Sequence, residues 1–147
     1  KRVLIRYNGV SKFAVAEMSE AQQVMSKNPL VSNQVLYNLK QREIERDLIP
    51  YCVENNITVI AYTPLADGSL SGKSNYRSDK GGAVLRQIAQ KVGKTPAQVA
   101  LNWCLSQANV IVIPKSNSVD RTIENCEASG WSLSPLQVTA LNAIYSD

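Results

Sequence analysis

Apolar and polar positions follow two periods along this chain, and the period switches from segment to segment. Residues 7–11 make a short strand-like piece ending in Gly9-Val10-Ser11. Across 14–26, Ala14, Met18, Ala21 and Met25 form a helical stripe, which Asn28-Pro29 stops. Residues 31–37 alternate as a strand does. Residues 42–54 place Ile44, Leu48, Ile49 and Cys52 on one helical face, and Pro50 inside that stretch is expected to bend or break it. Thr58–Tyr62 is β-branched and apolar, the pattern of a buried strand. Residues 63–82, rich in Gly, Ser, Asn and Asp, read as one long loop. A helix over 83–92 closes at Gly93, and Thr95-Pro96 opens the next with Thr as N-cap and Pro at the first helical position. Val99, Ala100, Trp103 and Cys104 form its apolar side. Residues 110–113 are a short, wholly apolar strand. A helix over 118–128 is capped by Ser118 or Asn117, and a last amphipathic helix starts at Ser134-Pro135 and runs through Leu136, Ala140, Leu141 and Ile144.

This is βαβαβαβα with a terminal helix. Parallel neighbours need crossovers, so the alternation predicts an α/β protein with a parallel sheet covered by helices. An open doubly wound sheet and part of a (β/α)8 barrel both fit. A full barrel takes about 250 residues, roughly 31 per unit. Four units, a terminal helix and one long loop fill the 147 residues here.

The chain has no histidine. That excludes Ser-His-Asp and Cys-His catalysis, His-ligated metals and imidazole acid–base chemistry within it, and no metal site is expected. The net charge of +4 comes from basic residues scattered singly. A nucleic-acid surface would cluster them, so none is expected, and a pocket for a small anionic ligand accounts for the excess as well. The densest group, Arg42 and Arg46, alternates with Glu43, Glu45 and Asp47, the pattern of a solvated helix face. Cys52, Cys104 and Cys126 are far apart and lie in apolar helical patterns, so buried, reduced, inert thiols are expected. Lys1-Arg2 is followed by only Val3-Leu4-Ile5 before Arg6, too short for a secretory leader. No stretch approaches the roughly 20 residues of a membrane span. A cytoplasmic protein is the expectation.

At the strand ends the sequence resembles the aldo-keto reductase family. The pieces, in order, are Gly9-Val10-Ser11-Lys12-Phe13, Asn33-Gln34-Val35-Leu36-Tyr37-Asn38 and Gln41-Arg42-Glu43-Ile44-Glu45. Ala61-Tyr62-Thr63-Pro64-Leu65-Ala66-Asp67-Gly68 with Ser71-Gly72-Lys73 follows, then Lys94-Thr95-Pro96-Ala97-Gln98-Val99-Ala100-Leu101. The last is Val112-Ile113-Pro114-Lys115-Ser116 through Glu124-Asn125. Each piece is modest, but six in the family's order over nearly the whole chain make a strong signal. The loop with Gly68 and Gly72-Lys73 is most similar to those of bacterial and archaeal reductases and potassium-channel β subunits. The resemblance implies half of a (β/α)8 TIM barrel: four parallel βα units, strands five to eight, plus a C-terminal helix, with 1–147 one half-barrel domain. The family's Asp-Tyr-Lys-His catalytic set belongs to the other half, and its motifs are absent here.

The resemblance gives this half the nicotinamide dinucleotide, NADP(H). Ser11 and Gln34, at strand C-termini, can hydrogen-bond a carboxamide, although Gln34 alone reads equally as a satisfied core residue. Tyr62 can stack on the nicotinamide ring or serve as a core aromatic. Thr63, Leu65 and Ala66 fall in a loop resembling the one that wraps the pyrophosphate, with Lys73 as a point charge, whereas composition alone gives a flexible surface loop. After strand four, Lys115, Ser116, Ser118 and Arg121 gather near a helix N-terminus, whose free N–H groups and dipole favour an anion. Arg121 can fork a phosphate, so the resemblance implies a 2′-phosphate, and Glu124 and Asn125 match positions that hold adenine. Without the resemblance, this is equally a capped surface helix. Lys12 departs from the family, which usually has Asn there as a second carboxamide partner; channel β subunits carry a basic residue at that place.

Four parallel strands do not close a barrel. Both outer strands would present open edges and the inner apolar face would meet water, which marks an interface. The expected states are a chain lacking its N-terminal half-barrel, a self-associating half-barrel, or a rearranged open sheet. The functional expectation is the cofactor-binding half of an NADPH-dependent oxidoreductase, passing hydride to aldehydes or ketones when a catalytic half completes it. The alternative is a non-catalytic nucleotide-binding or assembly module similar to a potassium-channel β subunit.

Overall fold

The computed structural model describes residues 5–25, 27–72 and 80–145. The elements run β1 (Asn8–Ser11), α1 (Val15–Val24), β2 (Leu30–Leu36), a 3₁₀ turn (Glu43–Glu45), α2 (Leu48–Glu54) and β3 (Thr58–Tyr62). A second 3₁₀ turn (Ala66–Gly68), α3 (Lys80–Val92), α4 (Pro96–Leu105), β4 (Val110–Val112), α5 (Val119–Cys126) and α6 (Pro135–Ile144) complete it. The sheet is parallel throughout, in the order β1-β2-β3-β4. The chain is therefore built of four βα units with a terminal helix.

Register divides the sheet into two unlike faces. Asn33, Val59 and Val110 stand in one row, Val35, Ala61 and Val112 in the next, and these rows point at the helices. All but Val112 are buried. The alternate row is Ser11, Gln34, Ile60 and Ile111. There Gln34 and Ile60 are half-buried, and Ile111 is 47% exposed. One face is a packed core; the other has no covering layer among the described residues, and β1 and β4 have unpaired edges.

The core centres on α4, whose residues from Ala97 to Cys104 are all buried. Thr95 caps it: its hydroxyl accepts from the Gln98 N–H while Gln98 Oε1 accepts from the Thr95 N–H. Gln98 and Asn102 then tie down the chain beyond β4. Gln98 Nε2 donates to the Glu124 carbonyl at 3.0 Å, and Asn102 Nδ2 donates to the carbonyls of Ala128 and Trp131 at 3.0 and 2.8 Å. Asn102 Oδ1 accepts from the Leu133 N–H. Burying two amides so fully satisfied rigidifies this side of the fold.

Several expectations are corrected. Residues 42–54 are not one helix: a 3₁₀ turn and α2 are separated at Arg46-Asp47, ahead of Pro50. Pro50 is the third residue of α2, where a missing N–H costs nothing because first-turn amides lack an intrahelical acceptor. Helix α3 starts at Lys80, so Gly81 and Gly82 are helical rather than loop. A Cβ on Gly81 would come within 2.5 Å of the Tyr145 ring, so a larger residue here would displace that ring. Arg42 is not a solvated charge either. Its guanidinium grips Glu45 with two bonds of 2.9 and 2.7 Å, donates to the Asn142 carbonyl and lies 5.2 Å over the Trp103 ring. Burial pushes the Glu45 carboxyl up, but the hydrogen bonds from Arg42 and Tyr37 outweigh it and hold it below its ordinary value.

Cys126 is exposed, against expectation, because α5 packs through few contacts and buries none of its residues. Cys52 and Cys104 are buried as expected, and burial pushes their thiols up to about 11 and about 12. The thiolate is the reactive form, so a thiol reagent at neutral pH labels one cysteine in the native protein and all three in denaturant. Fast native labelling of Cys52 or Cys104, read by peptide mass, would contradict this packing.

Candidate cofactor site

The C-terminal ends of the strands carry the site. At β3 the chain leaves the sheet through Thr63, Ala66 and Asp67, non-glycine residues with φ of 52°, 46° and 52°. Each left-handed residue costs about 1–2 kcal/mol, so the loop holds this shape only because it is over-determined. The buried Asn38 donates to the Thr63 carbonyl at 2.9 Å, Leu70 is sunk in the core, and the Ser71 hydroxyl donates to the Gly68 carbonyl. Residues 63–72 are thus a shaped loop rather than a loose one.

At β4 the chain passes Ile113, Pro114 and Lys115 before entering α5. Neither Ser118 nor Asn117 caps the helix with its side chain. The local bonds come from Ser116, whose hydroxyl accepts from the Ser118 N–H and donates to the Ser118 carbonyl. The first-turn amides of Val119, Asp120 and Arg121 therefore keep no side-chain acceptor from the cap, the condition for an anion site at a helix N-terminus.

The two loops enclose a cleft of about 380 Å³. Its walls are Thr63, Pro64, Leu65, Asp67, Gly68 and Ser71 on one side and Ile113, Pro114, Lys115, Arg121, Glu124 and Asn125 on the other, with Ala97 of α4 between them. Lys115 and Arg121 share this space. The structure thus brings together Thr63, Leu65, Lys115, Arg121, Glu124 and Asn125 of the sequence-derived set. Ala66, Ser116 and Ser118 flank the cleft without lining it, and Lys73 lies outside the described residues. Pro64, Asp67, Gly68, Ser71, Ile113 and Pro114 sit within the recognised motifs but were not picked out as site residues. Ala97 also lies within a recognised motif, but its place in the cleft follows from α4 meeting both loops.

Ser11, Gln34 and Tyr62 stand apart from this cleft, at the ends of β1, β2 and β3. The Ser11 hydroxyl donates to the Gln34 carbonyl at 3.0 Å, leaving its lone pairs open to a ligand. No hydrogen bond engages the Gln34 side-chain amide among the described residues, so the satisfied-core alternative fails for it. Tyr62 is half-buried, and the Lys12 ammonium stands 5.8 Å from its ring centroid. Strand order sets these groups in one line, β1 to β4, spanning three strand spacings or roughly 14 Å. The line has uncommitted polar groups at one end and two cations with free helix amides at the other. It fits an elongated ligand with a polar head and a phosphate tail.

Residues 4–146 match the model of the Aldo/keto reductase family. Methylglyoxal reductase YeaE of Escherichia coli is 34% identical over 141 residues, covering 96% of this chain and 48% of that protein. The crystal structure of the thermostable aldo-keto reductase Tm1743, in complex with epalrestat, matches with a TM-score of 0.84 and 37% identity, covering 96% of this chain and 49% of that one. An aldo/keto reductase from Klebsiella pneumoniae in complex with NADP and acetate matches with a TM-score of 0.75 and 30% identity, covering 93% and 47%. The chain spans about half the length of the relatives it matches, as four of eight βα units require. No helix among the described residues is long and apolar enough to cross a membrane. On a family model matched from residue 4 to 146 and on these relatives, the chain belongs to the aldo/keto reductase family.

Proposed function

We propose that residues 1–147 act as one unit, the NADP(H)-binding half of a carbonyl reductase. The observation that carries this is the shared cleft of Lys115 and Arg121 at the first turn of α5. Ser11, Gln34 and Tyr62 hold the nicotinamide end. Thr63, Leu65 and Ala66 follow the pyrophosphate, with Lys73 as a further cation. Lys115, Ser116, Ser118 and Arg121 take the 2′-phosphate, and Glu124 and Asn125 the adenine. The NADP-bound Klebsiella relative supports this cofactor class.

When bound, the reduced nicotinamide supplies a hydride to an aldehyde or ketone carbon. This chain's residues orient the ring at the strand ends and hold the phosphates. Proton donation belongs to an Asp-Tyr-Lys-His set in a complementary half-barrel, which would also cover Ile60 and Ile111 and pair the edges of β1 and β4. That half comes from elsewhere in the same protein; a second copy would close the ring but, having no histidine, would not supply that set. Two buried free thiols suit a reducing compartment, here the cytoplasm. A second reading is a non-catalytic nucleotide-binding or assembly module, similar in role to a potassium-channel β subunit. The basic Lys12 favours it.

Titration of the chain with NADPH, followed by nucleotide fluorescence, is expected to saturate, with no more than trace reduction of carbonyl substrates. A linear, non-saturating signal would remove the cofactor reading. A full reductase rate from this chain alone would refute the division of labour. Saturable binding that stays without turnover once a complementary half is supplied would select the module.

A further inference from the structure

We propose that Lys12 sets the redox preference of the cofactor site, favouring the reduced, neutral nicotinamide over the oxidised, positively charged ring. This rests on the dinucleotide reading above. The observation is a cation where the ring is expected. Lys12 leaves β1 with φ of 61°, a left-handed conformation uncommon for lysine. The turn is pinned by the Lys12 N–H, which donates to the Gln34 carbonyl at 2.9 Å. It carries the ammonium across the strand ends to 5.8 Å from the Tyr62 ring centroid. No ion pair neutralises Lys12 among the described residues.

An ammonium on an aromatic face is held by the ring's quadrupole. A nicotinamide stacking on Tyr62 must displace it sideways, but the backbone of Lys12, pinned at the end of β1, keeps the charge within side-chain reach of the incoming ring. Displacement costs both redox forms the same and cancels in their ratio. The charge does not cancel. Two unit positive charges several ångströms apart repel at a partly wetted site, whereas the dihydro ring carries no charge to repel. Lys12 therefore weakens NADP⁺ selectively.

The test is the ratio of the dissociation constants of NADP⁺ and NADPH on the purified protein. NADPH is read by its fluorescence and NADP⁺ by competition, for wild type, Lys12→Met, Lys12→Gln and Lys12→Arg. Both neutral variants are expected to lower the ratio about three- to tenfold, while Lys12→Arg keeps it. Salt at about 0.5 M should narrow the wild-type ratio and leave the neutral variants unchanged. A ratio within twofold of wild type in both neutral variants, with both nucleotides still binding, overturns the role of Lys12 and leaves the cofactor site standing. Failure of the wild type to bind either nucleotide removes the site and this inference together.

Discussion

Alanine at both Lys115 and Arg121 is expected to weaken NADPH binding by about a hundredfold and NADH binding by less than threefold. Both side chains line one cleft at the head of α5, and both are exposed, so each contact is partly screened by water and salt. A charge-assisted hydrogen bond to phosphate in that setting is worth about a factor of ten, and the two add when they hold different oxygens. NADH lacks the 2′-phosphate and keeps everything else, which makes it the internal control. Arg121→Lys should fall between wild type and alanine, because lysine keeps the charge and loses the planar fork. The free first-turn amides of α5 set the floor, since no side-chain change removes them. Equal NADPH affinity in wild type, both single variants and the pair would show that the phosphate lies elsewhere. Equal losses for NADH and NADPH would move the two cations onto the pyrophosphate.

What could be read in the sequence was whatever is decided locally. Thr58–Tyr62 has the same bounds in pattern and structure because a β-branched, apolar run between polar turns has one low-energy use. Thr95-Pro96 opened its helix as read, because the reciprocal bonds of Thr95 and Gln98 involve four neighbouring residues. Several misses have distant causes. Arg42 looked solvated because its partners, Trp103 and the Asn142 carbonyl, are 61 and 100 positions away. Helix α3 starts early, with Gly81 packed under Tyr145, 64 positions away. Cys126 sits in a helical stripe like the other two cysteines, but only tertiary packing says that nothing lies against it. The same division runs through the site. Lys115, Arg121, Glu124 and Asn125 are one strand-to-helix turn and were legible together, whereas Ala97 joined them only when two loops closed over the start of α4.

Trp103→Ala is expected to be the most damaging single change to stability, lowering the unfolding free energy by about 3–5 kcal/mol. Trp103 is fully buried and is the meeting point of four elements. Its ring lies 5.4 Å from that of Tyr37 at the end of β2 and 5.2 Å from the Arg42 guanidinium, and its indole N–H donates to Asn142 Oδ1 of α6 at 2.9 Å. Removing it opens a cavity and takes the aromatic floor from under the Arg42–Glu45 pair, whose acceptor also serves the Tyr37 hydroxyl. A loss of that size is about a fifth or more of the roughly 5–15 kcal/mol a domain usually has, so the midpoint of a urea transition moves while its slope holds. Trp103→Phe keeps most of the volume and gives up the indole donor, and about 1–2 kcal/mol is expected. A loss under about 1 kcal/mol for the alanine variant would mean that α4 is not the keystone of the packing. The phenylalanine variant also separates stability from binding. Helix α4 meets the cleft only at Ala97, nearly two turns from Trp103. Its NADPH dissociation constant should therefore stay within about twofold of wild type even as its stability falls, because the loops that form the cleft are anchored by Asn38, Leu70 and Gln98, and none of these hydrogen bonds runs through the indole.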